Sequence, residues 1–333
     1  MKLILYMVMS MDGIVAIDEK RDISSYSSKE DHDFFIKGAS ACDAAIMGRF
    51  SYNKALPCGK KYLLSHSTEL DLESGTVRLS GNAQSIIERI KEDGNERVAL
   101  LGGPRTNHAF LSGGFVDDIF LTIEPIILGK GIHFSIPDDN VTNWSLSHSI
   151  RLNKKGTVVN HYVRELSTEL KERYNNILHN GLFCDTIHKL NLAEKERFFC
   201  KHDITHLLDT ARIMQLINLE EGLCLDKDIV YATALLHDIG RLAQYEDGTP
   251  HEKAGAILAE KILSECGYDA DERTLIISAI SRHRQSQSKG KSESELLSDI
   301  LYRADKAGRL CFQCDARLKC NWPESKKNAM LIF

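Results

Sequence analysis

The pattern of apolar residues changes near residue 165, and this change constrains the fold more than any other feature of the chain. Up to residue 164, short strand-like runs alternate with amphipathic helical patterns, which predicts an α/β layered sheet. Beyond that point helical patterns dominate, which predicts an all-α domain. At 333 residues the chain has room for two domains. We therefore expect an α/β domain over 1–164, a helical connector over 165–194 and an all-α bundle over 195–333.

The predicted elements can be named from the sequence. Six strand-like runs come first, namely LILYMVMS, DAAIMG, KYLLS, VALLGG, DIFLTIEPIIL and TVVNHYV, with helices at AQSIIERIKE and TNHAFLSGG. The last two runs follow one another without a helix, so the sheet should have an antiparallel edge. The second part has the helical patterns ITHLLDTARIMQLI, KDIVYATALLHDIG, HEKAGAILAEKIL, ERTLIISAISRH and SELLSDILYRADKAGRL.

Composition limits the classes of partner. The net charge of −5 offers no global basic field for nucleic acid. No run approaches the roughly 18 apolar residues of a membrane span. The start, MKLILYMVMSMDG, lacks a small-residue cleavage site and fits a buried first strand better than a signal peptide. We expect a cytoplasmic protein that acts on small molecules, with neither nucleic acid nor membrane as partner.

One pair of ligand-type residues closes a buried helix in the second part. His237 and Asp238 end the apolar run VYATALLHDIGR. A charge pair in such a position is costly unless it is paired or bound to metal. For the pair alone, a core histidine capped by its neighbour is as good an interpretation as a metal ligand.

Further ligand-type residues lie on other predicted helices. His206 shares a helix face with apolar residues and should point inward. His251 opens a helix, where Thr249 is a candidate cap. Each alone is more often a satisfied core group or a cap. Together they offer imidazoles and carboxylates suited to one or two divalent ions. The predicted ligands are His206, His237, Asp238, His251, His283 and Asp305.

The order His…His-Asp…His…His…Asp resembles the HD-domain metal-dependent phosphohydrolases over residues 195–310 or so. The two additional histidines, and the segment in which Gly255 and Ala256 follow His251, resemble small bacterial diadenosine-tetraphosphate hydrolases. The resemblance implies phosphoryl hydrolysis with Asp238 as a bridging, catalytic carboxylate. Because imidazoles accept Fe, Mn, Co or Zn, the identity of the metal stays open.

Charged residues near these positions allow two interpretations. Arg241, Lys306 and Arg309 could hold a substrate phosphate, but for each one a solvated helix-face charge is the favoured interpretation. His202 and Asp203 lie one turn before His206, as partners of the ligands or as a helix cap, and position alone favours the cap.

Seven of the nine cysteines lie after residue 164. Cys311-x-x-Cys314 followed by Cys320 has a zinc-knuckle-like spacing, but a structural zinc takes four ligands. Cys200 completes a possible structural metal site if the two ends of the helical domain meet. The alternatives are an Fe–S cluster and reduced thiols that only pack a C-terminal turn.

The first part carries a series of short motifs. Glycines between a strand and a helix let backbone N–H groups approach a phosphate, although a lone Gly-Gly is usually a tight turn. The motifs are SMDG (10–13), MGRFSY (47–52), LS (64–65), GG (102–103), GFVDD (114–118) and EPIILGKG (124–131). Together they resemble the dihydrofolate-reductase-like reductases, particularly the reductase domain of riboflavin biosynthesis, over nearly all of residues 1–164.

The resemblance implies NADPH as cofactor, which supplies the hydride chemistry while the fold positions it. It implies cofactor-binding roles for one set of residues, namely Gly48, Arg49, Ser51, Ser65, Gly102 and Gly103. Asp12 and Glu124 would face the substrate pocket as catalytic residues. Since dimers are common among such reductases, we expect a homodimer.

The sequence therefore predicts a bifunctional enzyme, an NADPH-dependent reductase of a pyrimidine- or pterin-like substrate joined to a metal-dependent phosphohydrolase acting on a nucleotide or phosphorylated metabolite. One alternative is a nucleotide phosphohydrolase regulated by a non-catalytic, ligand-binding reductase-like domain. A second is a binding module in which neither site turns over.

Overall fold

The computed structural model describes residues 1–18, 20–65, 72–134, 142–164, 172–282 and 292–331. It divides into two compact units, Met1–Leu170 and Lys171–Phe333. The first unit is a mixed sheet with flanking helices and the second is helical, so both predicted fold classes are confirmed. Among the helices of the described residues, none is long and apolar enough to cross a membrane.

The first unit alternates strands and helices. Its strands are β1 (Lys2–Ser10), β2 (Ile14–Asp18), β3 (Arg21–Asp22), β4 (Ala44–Gly48), β5 (Lys60–Leu64), β6 (Val77–Leu79), β7 (Arg97–Leu100), β8 (Asp118–Glu124), β9 (Ile132–His133), β10 (Ser145–Arg151) and β11 (Val158–Val163). Its helices are α1 (Lys29–Ser40), α2 (Ala83–Glu92) and α3 (Pro104–Ser112).

The main sheet has eight strands in the order β10-β11-β8-β1-β7-β4-β5-β6. Strands β8 to β6 run parallel, whereas β11 runs antiparallel to β8 and β10 antiparallel to β11. The predicted antiparallel edge is therefore confirmed. A smaller sheet has the order β3-β2-β9.

Local sequence explains why α2 forms where it does. Asn82 caps the helix by accepting a hydrogen bond from the Ser85 backbone N–H. Ile86, Ile87 and Ile90 then recur at helical spacing, and all three are buried against the apolar residues of the sheet. The period of the apolar residues and the cap together fix this helix at the predicted residues.

Two elements of the first unit, β10 and α1, were not predicted, because their apolar residues do not show a clear strand or helix periodicity. In β10, SLSHSIR is mostly polar, because this edge strand buries none of its residues. In α1, Ser28 caps the helix by accepting from the Asp31 N–H, with Glu30 and Asp31 in the first turn. That combination is a helix-start signal that the prediction did not use.

The second unit is a helical bundle. Its helices are α4 (Tyr174–His179), α5 (Gly181–Ala193), α6 (Ile204–Glu220), α7 (Lys227–Leu236), α8 (Arg241–Glu246), α9 (His251–Glu265), α10 (Ala270–Arg282) and α11 (Glu293–Ala307). The five predicted helical patterns correspond to α6, α7, α9, α10 and α11. Helices α4 and α5, placed in the connector by the sequence analysis, pack against α7 and α8 of this unit.

Helix α7 lies in the middle of the bundle, packed against α6, α10 and α11. Eight of its ten residues are buried. A Cβ at Gly240 would lie 2.1 Å from the backbone oxygen of His251 and 2.4 Å from the backbone nitrogen of Gly255. Glycine at 240 therefore lets α9 approach the end of α7, which brings His251 next to the His237–Asp238 pair.

Candidate functional site

Asp238 lies at the centre of a cluster of histidines. Its Oδ2 lies 3.3 Å from Nε2 of His237 and 3.7 Å from Nε2 of His206, and its Oδ1 lies 3.4 Å from Nε2 of His251. Nε2 of His206 also lies 3.5 Å from Oδ1 of Asp305. Five of the predicted ligands thus converge from four helices or their ends.

The sixth predicted ligand, His283, lies outside the described residues. Among the residues that the structure describes, the ligand atoms of His206, His237 and Asp238 all lie within 4.8 Å of one another. Donors this close around one point are the arrangement that a divalent ion requires.

Hydrogen bonds on the far side of two rings set their orientation. Nδ1 of His237 lies 2.7 Å from the backbone oxygen of Ala234, and Nδ1 of His251 lies 2.8 Å from Oε1 of Gln244. Since an oxygen acceptor at Nδ1 favours the tautomer with its proton there, Nε2 of each ring presents a lone pair to the cluster.

Burial and neighbouring charges set the protonation states. Burial lowers the pKa of His206 to about 4, with a further contribution from His237, so its ring is neutral at pH 7. Burial opposes ionisation of Asp238, but His237 and Arg241 outweigh it and hold the pKa well below the usual value. For Asp305, His237 and Lys306 likewise outweigh burial and lower the pKa to about 2.

The ionised carboxylates and the neutral His206 ring are in the states that metal ligands need. Although burial opposes it, the neighbouring carboxylates raise the pKa of His237, so binding of a metal there would displace a proton from this ring. The Nε2 atom of His206 is buried and forms no hydrogen bond with the described residues. A buried imidazole nitrogen without a hydrogen bond is costly in a core but expected of a ligand. The donor set of imidazole and carboxylate fits Fe, Mn, Co or Zn.

Position favoured a helix cap for both His202 and Asp203, and the structure separates the two. Asp203 is the cap, since its side chain accepts from the backbone N–H groups of Thr205 and His206. His202 instead directs Nε2 toward Asp238, 3.8 Å from its Oδ2. The interpretation of His202 as a cap was therefore wrong, because the residue before the cap has no fixed helical face.

Glu194 was missed altogether. It is buried, and its carboxylate lies 2.6 Å from Nδ1 of His202 and accepts hydrogen bonds from the His202 N–H and the Tyr245 hydroxyl. Glutamate is common on exposed helix faces, so the sequence carried no signal for this role.

The expectation for Thr249 was also wrong. Helix α9 begins one residue later, with Pro250 at the cap position and no side-chain cap. The Thr249 N–H instead donates to Asp247. His251 keeps the predicted place at the start of the helix.

In the first unit, the ends of two parallel strands meet beside the start of α3. A Cβ at Gly48 would lie 2.9 Å from Oγ1 of Thr106, and one at Gly102 would lie 2.3 Å from the Thr106 Cβ. Gly103 has more room, because a Cβ there would first meet Oγ of Ser51 at 3.6 Å. Backbone that is open beside a helix N-terminus suits the approach of a phosphate.

The other predicted cofactor residues lie at strand ends as well. Arg49 is exposed directly after β4, with its guanidinium 5.7 Å from the Phe50 ring. Ser65 follows β5, and its N–H donates to the Leu79 oxygen. Their roles toward NADPH stay predictions.

The two predicted catalytic carboxylates of this unit accept hydrogen bonds from backbone N–H groups of neighbouring loops. Asp12 accepts hydrogen bonds from the Gly129 and Leu128 N–H groups and from Ser10 Oγ, and these hold its pKa at about 2. Glu124 is buried and accepts from the Ser28 N–H and the Thr157 hydroxyl. Both side chains therefore fix loops around the strand ends.

Comparisons with known proteins agree with this division of the chain. Residues 203–310 match the model of the HD domain, and residues 66–158 match the model of the RibD C-terminal domain. The second unit therefore contains an HD domain, and the first unit contains a RibD C-terminal domain. The HD-domain match includes the described ligand cluster in full.

Three relatives illustrate the similarity. A protein of Clostridium beijerinckii described as uncharacterized is 42% identical over 162 residues, which are 49% of this chain and 99% of the relative. The riboflavin biosynthesis protein RibD of Aquifex aeolicus is 36% identical over 74 residues, 22% of this chain and 20% of that protein. A pyrimidine reductase-like protein from Corynebacterium diphtheriae is similar in structure, with 17% identity, a TM-score of 0.43, and coverage of 50% of this chain and 92% of the other.

The HD domain has a cavity of about 1170 Å³ that reaches His202, His206 and Asp305. Seven Lys or Arg residues line it against three Asp residues, so its wall is basic; the cations are Arg197, Lys201, Arg241, Lys306, Arg309, Lys326 and Lys327. Aromatic side chains, among them Trp322, complete the wall. A basic cavity beside the ligand cluster suits a phosphorylated molecule.

The favoured interpretation of Arg241, Lys306 and Arg309 as solvated helix-face charges was wrong. All three line the cavity. Nε of Arg241 donates to Asp238 at 2.9 Å, and Lys306 forms an ion pair with Asp305. Helical periodicity could not reveal these contacts, because they depend on which helices pack together.

Proposed function

We propose that the protein is a bifunctional enzyme. Its HD domain hydrolyses a phosphate ester or anhydride of a nucleotide or another phosphorylated metabolite with the help of divalent metal ions. Its RibD C-terminal domain reduces a pyrimidine- or pterin-like substrate with NADPH. The observation that carries the first activity is the convergence of His206, His237 and Asp238 within 4.8 Å, beside a basic cavity.

The described residues fit one or two divalent ions. When bound, such ions polarise phosphoryl oxygens and lower the pKa of water. His206, His237, His251 and Asp305 would hold them together with Asp238. Asp238 directs one oxygen toward His237 and His206 and the other toward His251. A carboxylate with ligands on both sides suits the bridging role that the resemblance implies.

The chain's own cations would bind and orient the substrate. In hydrolysis, an oxygen of water forms a bond to phosphorus while the bond from phosphorus to the leaving oxygen breaks, and negative charge is spread over the phosphoryl oxygens. Arg241 and Lys306 lie next to the ligand cluster and would stabilise that charge. Trp322 lines the cavity and is 40% exposed, so it would offer an aromatic surface to a base. The guanidinium of Arg309 lies 3.8 Å from the centre of its ring.

The test of the hydrolase is metal analysis of the purified protein combined with a phosphohydrolase screen over nucleotides and sugar phosphates. We expect the variant His237→Ala to lose turnover while the first unit stays folded. His188→Ala removes an exposed histidine of α5 and should keep full activity. Hydrolysis by His237→Ala at the wild-type rate would reject the assigned centre. A metal content after anaerobic purification that is the same in wild type and in His237→Ala would favour a binding module instead.

The reductase proposal rests on Gly103 and Ser51, which border open backbone at the start of α3. In riboflavin biosynthesis, a phosphorylated pyrimidine is reduced and later loses its phosphate, so the fusion could perform both steps. The test follows NADPH oxidation and phosphate release on such a phosphorylated pyrimidine. Absence of phosphate release with metal present would reject the consecutive-step version.

One observation favours the second candidate, a phosphohydrolase regulated by a non-catalytic reductase-like domain. Asp12 and Glu124 both engage main-chain N–H groups, which occupies the two carboxylates predicted to be catalytic. This candidate predicts hydrolysis whose rate changes when NADPH is added, without oxidation of the NADPH. Cytoplasmic location and a homodimeric state remain predictions from the sequence.

A further inference from the structure

We propose that Cys200, Cys311, Cys314 and Cys320 bind one structural zinc ion that holds the C-terminal segment against the HD domain. The site is separate from the His–Asp cluster. It does not depend on the proposed hydrolase activity.

The described C-terminal segment after α11 buries little apolar surface, with Ala316 as its buried apolar side chain. Its main polar anchor is Asn328, whose amide donates to the backbone oxygens of Lys306, Ala307 and Arg309. Its short 3₁₀ turns, Cys311–Gln313, Arg317–Lys319 and Glu324–Lys326, contain no buried residue. Leu318 is 98% exposed, and the apolar side chains of Leu310 and Trp322 are exposed as well. A segment that buries so little apolar surface usually needs a disulfide or a metal to stay folded.

The three C-terminal cysteines lie at the first or last residue of a hydrogen-bonded turn. The N–H of Cys314 donates to the oxygen of Cys311 at 3.4 Å, so these two residues begin and close one turn. The N–H of Cys320 donates to the oxygen of Arg317 at 3.4 Å and closes the next turn. A pair of cysteines two residues apart followed by a third is the spacing of small zinc sites.

The fourth thiol comes from a distant part of the chain. Cys200 lies in the loop between α5 and α6, where its oxygen accepts a hydrogen bond from Nε of Arg197 at 2.8 Å. All four cysteines line one small cavity, so the loop that carries Cys200 meets the C-terminal segment. Four thiols are the complete ligand set of a closed structural zinc site.

The size and charge of the cavity favour zinc over an iron–sulfur cluster. Its volume is about 20 Å³, which is room for about one water-sized sphere and thus for a single ion. Four thiolates around Zn²⁺ carry net negative charge, and Arg317 and Lys327 line the same cavity. Among the described residues, the four thiols do not form a group whose ligand atoms all lie within 4.8 Å of one another. Binding of an ion would therefore draw the turns closer together.

The zinc would also shape the cavity of the HD domain. The four cysteines line that larger cavity as well, together with Trp322 and Lys326 from the same segment. Holding the turns in place would fix this part of the wall, which gives the cysteines a positioning role and no contact with the reacting atoms.

The test uses the full chain expressed with zinc and compares metal content by mass spectrometry. The background variant is His237→Ala, which depletes the His–Asp cluster. In this variant we expect about one zinc per chain to remain, bound at the four cysteines. Adding Cys314→Ser should remove it. Adding Cys184→Ser, an exposed thiol of α5, should not.

A second measurement covers the case in which Cys314→Ser does not fold. Cobalt-substituted wild-type protein should show the intense visible and charge-transfer absorption of a tetrahedral thiolate site, and Cys314→His should keep one ion with a weakened charge-transfer band. Zinc content unchanged by Cys314→Ser, cobalt without thiolate absorption, or iron with acid-labile sulfide would each overturn the proposal. None of these outcomes bears on hydrolysis, which His237→Ala tests separately.

Discussion

Nδ1 of His202 lies 2.6 Å from Oε1 of Glu194, and this contact aims the opposite ring nitrogen at Asp238, 3.8 Å from its Oδ2. Burial alone would raise the pKa of Glu194, but hydrogen bonds from His202 and Tyr245 outweigh it and lower the pKa to about 2. An ionised acceptor at Nδ1 keeps the proton there and leaves a lone pair on Nε2. We therefore predict that His202 is a further ligand, with Glu194 as its positioning residue.

We expect Glu194→Gln to weaken metal binding by about 10–100-fold, the usual effect of losing a partner that orients a ligand. The carboxylate accepts from three donors, and an amide has only one acceptor oxygen. A titration with Mn²⁺ against a competing chelator measures the affinity. Tyr245→Phe keeps the carboxylate and serves as the control, with a smaller loss. Equal affinity in Glu194→Gln and wild type would remove Glu194 from the site.

Arg173 should be a main determinant of stability in the helical unit. Its guanidinium lies 2.8 Å from Asp228, which is 1% exposed, and 2.7 Å from both oxygens of Glu272. We expect Arg173→Met to lower the free energy of unfolding by about 3–5 kcal/mol, because it leaves a buried carboxylate unpaired. Urea denaturation measures this change.

The matched control is an exposed ion pair of the same unit. Arg212 lies 3.3 Å from Asp209, and its side chain is 65% exposed. Arg212→Met should cost less than about 1 kcal/mol. If the two arginine variants lost similar amounts, burial would not be what makes the Arg173 contacts important.

Gly102 and Gly103 should separate folding from cofactor binding. A Cβ at Gly102 would lie 2.3 Å from the Thr106 Cβ, so Gly102→Ala should destabilise the fold by about 1–3 kcal/mol. At Gly103 the backbone φ is −67° and a Cβ has room, so Gly103→Ala should cost less than about 1 kcal/mol. Thermal unfolding compares the two variants.

If NADPH phosphate approaches the start of α3, Gly103→Ala should nevertheless weaken NADPH binding by about tenfold, which corresponds to about 1.4 kcal/mol. Fluorescence titration with NADPH measures it. Wild-type affinity in a folded Gly103→Ala protein would place the cofactor elsewhere.

Asp118 should make the sheet unit sensitive to acid. Its carboxylate is 2% exposed and lies 2.6 Å from Nε2 of His161 and 3.1 Å from Nζ of Lys2. Burial opposes ionisation, but His161 and Lys2 outweigh it and lower the pKa. A lowered pKa in the folded state gives stability that is present above the unfolded value of about 4 and is lost as the pH falls through the folded value.

We expect Asp118→Asn to cost about 1–3 kcal/mol at pH 7, as for hydrogen bonds to a charged group. The difference between the variant and wild type should shrink below about pH 4, where Asp118 of the unfolded chain takes up a proton, and should be lost as the pH falls through the lowered folded-state pKa. Urea unfolding at pH 7, 5 and 3 tests this. A difference that is the same at all three values would mean that ionisation of Asp118 contributes nothing.

Local patterns gave most of the regular structure. The predicted helix at AQSIIERIKE coincides with α2, because its cap and isoleucine spacing are properties of neighbouring residues. Strand β10 had no such pattern, since both of its faces are largely polar. Helix α5 was left in a connector because its packing partner, α8, comes later in the chain.

By itself the sequence determined the two fold classes, the antiparallel edge of the sheet and the residue types that form the His–Asp cluster. Periodicity and adjacent residues encode these features, so they can be read without knowing which elements touch. Only the tertiary structure decided that His202 faces Asp238, that Glu194 holds it, and that Cys200 lies with the C-terminal thiols. Those relationships depend on how helices from distant parts of the chain pack together, as at the close approach of α9 to Gly240. Patterns among neighbouring residues cannot predict such packing.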